Sequence, residues 1–218
     1  MSLRRAFLAE FSGTALLLAV VVGSGIMGEL LSPGNAAVAL LANSLATGAA
    51  LHVLVATLGP VSGAHLNPLV SLMAWRDGLL DARAAAGYLV AQFLGAVLGV
   101  VLAHLMFGLP ALMASPKPRA TPGLWLSELA ATVVLLAVVR ACRERTDGKA
   151  PALIALTVLA GYWATASTFF ANPAVTLART LTPTFAGIRP VDAPGFLLAQ
   201  LAGLALVLLL VRRPRGIR

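Results

Sequence analysis

Apolar residues run in six long segments, at about 6–28, 36–58, 84–107, 122–141, 151–168 and 194–211, with polar and turn-forming residues gathered between them. Runs of ~20 apolar residues match a bilayer's hydrocarbon core, so each segment predicts a membrane-spanning helix. Two further apolar stretches, 67–75 and 172–181, are only half as long. Each opens on Asn followed by Pro: Asn67-Pro68-Leu69 in the first, Asn172-Pro173-Ala174 in the second. Asn is a good helix cap, and Pro fits the first helical position, where an N–H would have no partner. The stretches therefore predict two half-length helices. Gly59-Pro60 is expected to end the second span and Arg76-Asp77-Gly78 the first half-helix. Pro110, Pro116 and Pro118 mark 108–121 as a polar connection, 143–149 is a charged loop, and 188–194 is a final turn.

The second half of the chain repeats the first. Ala9-Glu10-Phe11-Ser12-Gly13-Thr14 matches Ser127-Glu128-Leu129-Ala130-Ala131-Thr132, and Ala91-Gln92-Phe93-Leu94-Gly95-Ala96 matches Ala199-Gln200-Leu201-Ala202-Gly203-Leu204. Each half thus reads span, span, half-helix, span, over about 5–107 and 122–211. An odd number of spans per half inverts the second copy in the membrane. The predicted fold is an all-α membrane protein, a single domain over residues 1–218, with six transmembrane helices and two re-entrant half-helices in an inverted repeat. Half-helices at matching places in inverted halves point to a transport pathway.

Composition agrees. Of 218 residues, 59% are hydrophobic and 11% charged, and mean hydropathy is +0.91, too little charge for a soluble surface. The net charge of +8 would suit nucleic acid in a soluble protein, but the basic residues sit at the ends of apolar segments, where topology explains them. With the N-terminus inside, twelve of the 16 Lys and Arg residues fall on the inner side and four (Lys117, Arg119, Arg179 and Arg189) outside. That predicts an integral membrane protein with both termini cytoplasmic. The N-terminal apolar run is too long for a secretory signal and predicts an uncleaved span. One cysteine, Cys142, and three scattered histidines make no disulfide and no metal site. No nucleophile–base pair or phosphate-cradling loop stands out, so neither an enzyme nor a cofactor is expected.

The paired Asn-Pro motifs, both Glu-x-x-x-Thr repeats and both Ala-Gln-x-x-Gly repeats make the chain resemble the major intrinsic protein family, the aquaporins and glycerol facilitators, over about residues 5–211. The resemblance implies a passive channel for small uncharged solutes, assembled as a homotetramer in lipid, in a bacterial plasma membrane. Asn67, Pro68, Leu69, Asn172, Pro173 and Ala174 would meet at the bilayer midplane, each Asn capping its helix and leaving its NH2 to face the lumen. The segments 60–66 and 165–171 would line it, offering the carbonyls of Gly63, Ala64, His65, Thr168, Phe169 and Phe170 as acceptors. Counting from the Asn-Pro anchors, the family's outer constriction falls on Thr47, Ala160, Phe169 and Val175. Val175 departs from the family pattern, which usually has Arg there, and Ala160 stands where water-selective members tend to place His. Such a filter is wide and apolar, and predicts solutes larger than water. The stretch 170–188 further resembles a bacterial subgroup linked to arsenic resistance, which suggests glycerol or metalloid hydroxides such as arsenous acid as cargo; a water-selective aquaporin is the alternative.

Arg179, one turn beyond Val175, either places its guanidinium in the outer vestibule or faces solvent and phosphate at the interface. Glu10 and Glu128 are ionisable groups inside spans, which by default suggest proton coupling and hence a secondary transporter. Their symmetry and the family resemblance favour a scaffold role, accepting N–H groups from the re-entrant segments, with Gln92 and Gln200 in similar contacts. His65 borders the lumen, where protonation would tune permeability, or is static; His52 and His104 are expected to be structural.

Overall fold

The computed structural model describes residues 2–143 and 145–210. It contains eight α-helices in the predicted order: α1 (Leu3–Leu31), α2 (Ala36–Ser62), the half-helix α3 (Pro68–Arg76), α4 (Ala82–Met106), α5 (Pro122–Cys142), α6 (Ala150–Ala164), the half-helix α7 (Pro173–Ala178) and α8 (Ala193–Leu210). Short 3-10 turns follow α7 at Arg179–Leu181 and precede α8 at Pro190–Asp192. Most helices start on a side-chain cap: the side chains of Ser2, Asn35, Asn67, Asp81, Thr121 and Asn172 each accept a backbone N–H of the first turn. Pro68, Pro122 and Pro173 occupy the first helical positions.

α1, α2, α4, α5 and α8 are long and apolar enough to cross a membrane. Their outward faces carry large apolar side chains such as Leu8, Leu16, Leu30, Val90, Leu126 and Leu198, as lipid contact requires. α6 is the exception, with 15 residues covering about 22 Å of a core about 30 Å thick. The chain was expected to continue as helix to 168. Instead the Thr165 hydroxyl donates back to Gly161 O (2.8 Å) and accepts Phe169 N (3.0 Å), drawing the backbone out of the helical path. α2 errs the other way, running past Gly59-Pro60 to Ser62. Proline costs it one hydrogen bond, but the last turn closes through Gly63 N to Gly59 O (2.9 Å), and Gly63, left-handed at φ 86°, ends it.

The halves pack by one rule. A Cβ on Gly95 of α4 would lie 2.3 Å from Phe11 O of α1, and one on Gly203 of α8 would lie 3.0 Å from Leu129 O of α5. Phe11 and Leu129 each follow the repeated Glu, and the glycines belong to the repeated Ala-Gln-x-x-Gly, so the same crossing occurs twice. These close contacts hold α1 on α4 and α5 on α8. Between the two pairs the half-helices enter and meet.

Candidate functional site

At the meeting point each Asn does two things. Asn67 Oδ1 accepts Leu69 N (2.9 Å), and Asn172 Oδ1 accepts Ala174 N (3.0 Å) and Val175 N (3.3 Å), so each caps its own helix. The amides cross over: Asn67 Nδ2 donates to Ala171 O (2.8 Å) and Asn172 Nδ2 to Leu66 O (2.8 Å). The expectation of a wholly free NH2 is therefore corrected. One N–H of each pins the opposite loop, and one remains of the two an amide carries. Both Asn residues line a cavity of about 490 Å³, whereas Pro68, Leu69, Pro173 and Ala174 are buried beside it and do not line it.

Two buried carboxylates shape the loops. Glu10 accepts Ser62 Oγ (2.7 Å) and His65 N (2.9 Å) on Oε1, and Leu66 N (2.7 Å) and Gln92 Nε2 (2.8 Å) on Oε2. Glu128 accepts Phe170 N (3.0 Å), Ala171 N (2.9 Å) and Gln200 Nε2 (2.7 Å). Gln92 also reaches Ser71 Oγ (2.9 Å) and Gln200 reaches Thr176 Oγ1 (2.8 Å), tying each carboxylate to the first turn of its half-helix. The loops follow a costly backbone path to make these bonds: Ala64, Leu66, Thr168, Phe169 and Ala171 all have φ between 45° and 63°.

That path has a direct consequence for the carbonyls. In a trans peptide the C=O points opposite to the N–H of the same plane. The N–H groups of His65, Leu66, Phe170 and Ala171 face the carboxylates, so the carbonyls of Ala64, His65, Phe169 and Phe170 face away from them. All four residues line the cavity. Gly63 lines it too, its peptide partner Ala64 N being held by Ser62 Oγ (3.1 Å). Thr168, expected in the same row, is half-buried and does not line the cavity.

Toward the α7–α8 end, Thr47, Phe169 and Val175 line the cavity, all buried. Ala160 does not. It is exposed on the outer face of α6, and Tyr162 stands on the lumen, its hydroxyl donating to Thr47 Oγ1 (3.3 Å). Counting back from Asn172 through the loop put Ala160 on the lumen, whereas the α6 residue found there lies two positions on, which on a helix is more than half a turn. The usable signal lay in phase: Ile154, Val158 and Tyr162, spaced by four, are the lumen-facing row of α6. Gly161 beside it lets Phe169 in, since a Cβ there would meet the Phe169 ring at 2.1 Å.

Arg179 lines the cavity and is 2% exposed, so it is not the solvated interfacial residue that was one of the two expectations. Its guanidinium lies over the Phe170 ring, 3.4 Å from the centroid, and its Nε donates to Ala186 O. Arg119, missed in the sequence, braces the same region, donating to Gly187 O (2.9 Å) and Ser167 O (3.3 Å). In the loop above, Lys117 Nζ donates to Phe185 O (2.7 Å), and burial, then the charge of Arg119, pushes its ammonium pKa down. Toward the α5–α6 end the lumen passes His65, Leu79, Cys142 and Arg143. His65 Nδ1 pairs with Ser71 Oγ (3.0 Å) and its ring meets Tyr88 edge-on. His104 is buried away from the lumen between Pro110 O and Thr182 Oγ1.

Comparison with known proteins places this arrangement. The family model for the major intrinsic protein matches residues 1–168. The aquaglyceroporin AqpS of Rhizobium meliloti is 52% identical over 210 residues, covering 96% of this chain and 90% of its own. The lens fiber major intrinsic protein of Gallus gallus is 35% identical over 71% of this chain and 59% of its own. The X-ray structure of the aquaglyceroporin from Plasmodium falciparum superposes with a TM-score of 0.68, covering 94% of this chain and 96% of that one, at 21% identity, a likeness of fold.

Proposed function

The chain belongs to the major intrinsic protein family, and from that we propose a passive, integral membrane channel whose lumen admits uncharged polyhydroxylated solutes, glycerol or metalloid hydroxides such as arsenous acid, together with water. One observation carries the solute class: Val175 lines the lumen, as do the rings of Phe169 and Tyr162, at the position where the family usually has Arg. Without that fork of donors the constriction offers hydrocarbon to a carbon skeleton, while Thr47, Tyr162 and the loop carbonyls offer partners to its hydroxyls. The relative's name, an aquaglyceroporin, supports the same reading. Tyr162 in place of the expected Ala160 makes the filter narrower than the sequence suggested and adds a hydroxyl to it.

At the midplane, the unused amide N–H of Asn67 and of Asn172 donates to the passing oxygen, and the carbonyl row accepts from its hydroxyls. The stub helices turn their positive ends toward each other and disfavour cations there. Arg179 adds a full charge at the outer end. The protein sits in a bacterial plasma membrane with both termini cytoplasmic, α3 entering from the inside and α7 from the outside, and it assembles as a homotetramer through its apolar outer faces. Of the residues behind that orientation, Arg212, Arg213, Arg215 and Arg218 lie outside the described residues.

Stopped-flow light scattering of proteoliposomes tests the reading. Glycerol should enter well above the empty-vesicle rate, and Val175→Arg should cut glycerol entry at least tenfold while water flow persists. Fast water flow with glycerol excluded from the native protein would make it a water-selective channel instead.

A further inference from the structure

We propose that Arg143 is a second selectivity element, a fixed positive charge at the α5–α6 mouth of the lumen that turns cations back before they reach the midplane. The inference rests on the channel reading above and concerns the opposite end from Val175 and Arg179.

The geometry begins at Asp77, which caps the C-terminal end of α3. Its carboxylate is engaged by Arg140 on both oxygens, Nη2 to Oδ1 at 2.6 Å and Nε to Oδ2 at 3.2 Å, and Arg140 also donates to Val207 O at 3.1 Å. This two-point pair fixes the ends of α3, α5 and α8 together and balances the single negative charge. Arg143 arrives as a surplus, with one bond, Nη1 to Asp77 Oδ2 at 3.0 Å. Its Nη2 is buried and has no acceptor among the described residues. Among the described residues the cluster therefore holds two guanidinium charges against one carboxylate.

The surplus charge sits on the lumen. Arg143 lines the cavity beside Cys142, Leu79, Ala150 and Pro151, and among the described residues it is the only one lining this half that carries a formal charge, with His65 set deeper. The surrounding sequence does not cancel it: from Arg140 to Lys149 there are four basic residues and two acidic ones. A charge in a mouth walled by apolar groups is poorly screened and acts on whatever enters. Neutral solutes pass it.

Cys142 supplies the test, because it is the chain's one cysteine and lines the same mouth. In reconstituted native protein, Cys142 is labelled with an anionic sulfonatoethyl and a cationic trimethylammonioethyl methanethiosulfonate. Each rate is divided by the same reagent's rate with free cysteine. The expected anionic-to-cationic ratio is about ten or more; it should fall close to one in Arg143→Gln and stay high in Arg143→Lys, which shows that the fold survives a change at this position. Potassium leak should rise severalfold in the Gln variant alone. An equal ratio in native and Gln proteins, or a Cys142 that neither reagent reaches, would overturn the proposal. Glycerol and water flux, measured on the same vesicles, report separately on the channel reading: flux with an unaltered ratio rejects Arg143 only, and no flux rejects the channel.

Discussion

At the scale of single residues, the lumen is made by side chains that do not touch it. Glu128 is fully buried and holds the Phe170 and Ala171 N–H groups. Glu128→Ala would leave those two buried donors without acceptors, at about 1–3 kcal/mol each, so thermal unfolding in detergent micelles should register a loss of about 2–6 kcal/mol. Glu128→Gln, which keeps one acceptor oxygen, should lose less. Gly161 acts by absence: any side chain there collides with the Phe169 ring. In Gly161→Ala, Phe169 is pushed toward the lumen, and glycerol flux should fall severalfold more than water flux in the same vesicles. Equal reductions would mean that Phe169 does not set the size limit.

At the scale of elements, what could be read in the sequence was what repeats and what is capped. Both half-helices announce themselves through Asn-Pro, because one residue supplies the cap and the next fills a position that needs no donor. The crossing of α1 with α4 falls on Gly95 and Gly99, where a Cβ would lie 2.3 Å from a carbonyl oxygen of α1. The places where reading failed are those where a side chain competes with the helix. Thr165 ends α6 four residues early, a shortening invisible to a hydropathy window, and on α6 Tyr162 lines the cavity where Ala160 was expected to. The left-handed path at Ala64, Leu66, Thr168, Phe169 and Ala171 was also hidden, since none is Gly, and only the tertiary bonds to Glu10 and Glu128 make it tenable. The two glycine crossings make a further prediction. A methyl on Gly95 meets the α1 backbone at 2.3 Å, whereas on Gly203 its nearest contacts are longer, Thr132 Cβ at 2.8 Å and Leu129 O at 3.0 Å. Gly95→Ala should therefore cost more stability than Gly203→Ala, by about 1–3 kcal/mol, in paired melting experiments; the reverse order would mean that the α1–α4 contact yields more easily than its twin.

For the whole molecule, the question is whether inverted halves make a channel or a pump, since both are built that way. A coupled transporter needs an ionisable group that meets the aqueous phase from each side in turn. Glu10 and Glu128 are the candidates inside the spans, yet both are fully buried, both are bonded to loop N–H groups and to a Gln, and neither lines the lumen. Releasing either to carry a proton would free the loop that forms the pore wall. The crossed Asn67–Ala171 and Asn172–Leu66 bonds make matters stiffer, because neither half can rock without breaking the joint at the midplane. A structure braced at its centre, with both Asn caps on one cavity, suits downhill flow. In proteoliposomes given radiolabelled glycerol on the outside, the internal concentration should therefore rise to the external one and stop, with the same initial rate under an inward, an outward or no imposed pH gradient. Accumulation above the external level in either gradient would show that one of the carboxylates moves, and the braced joint would no longer describe how the molecule works.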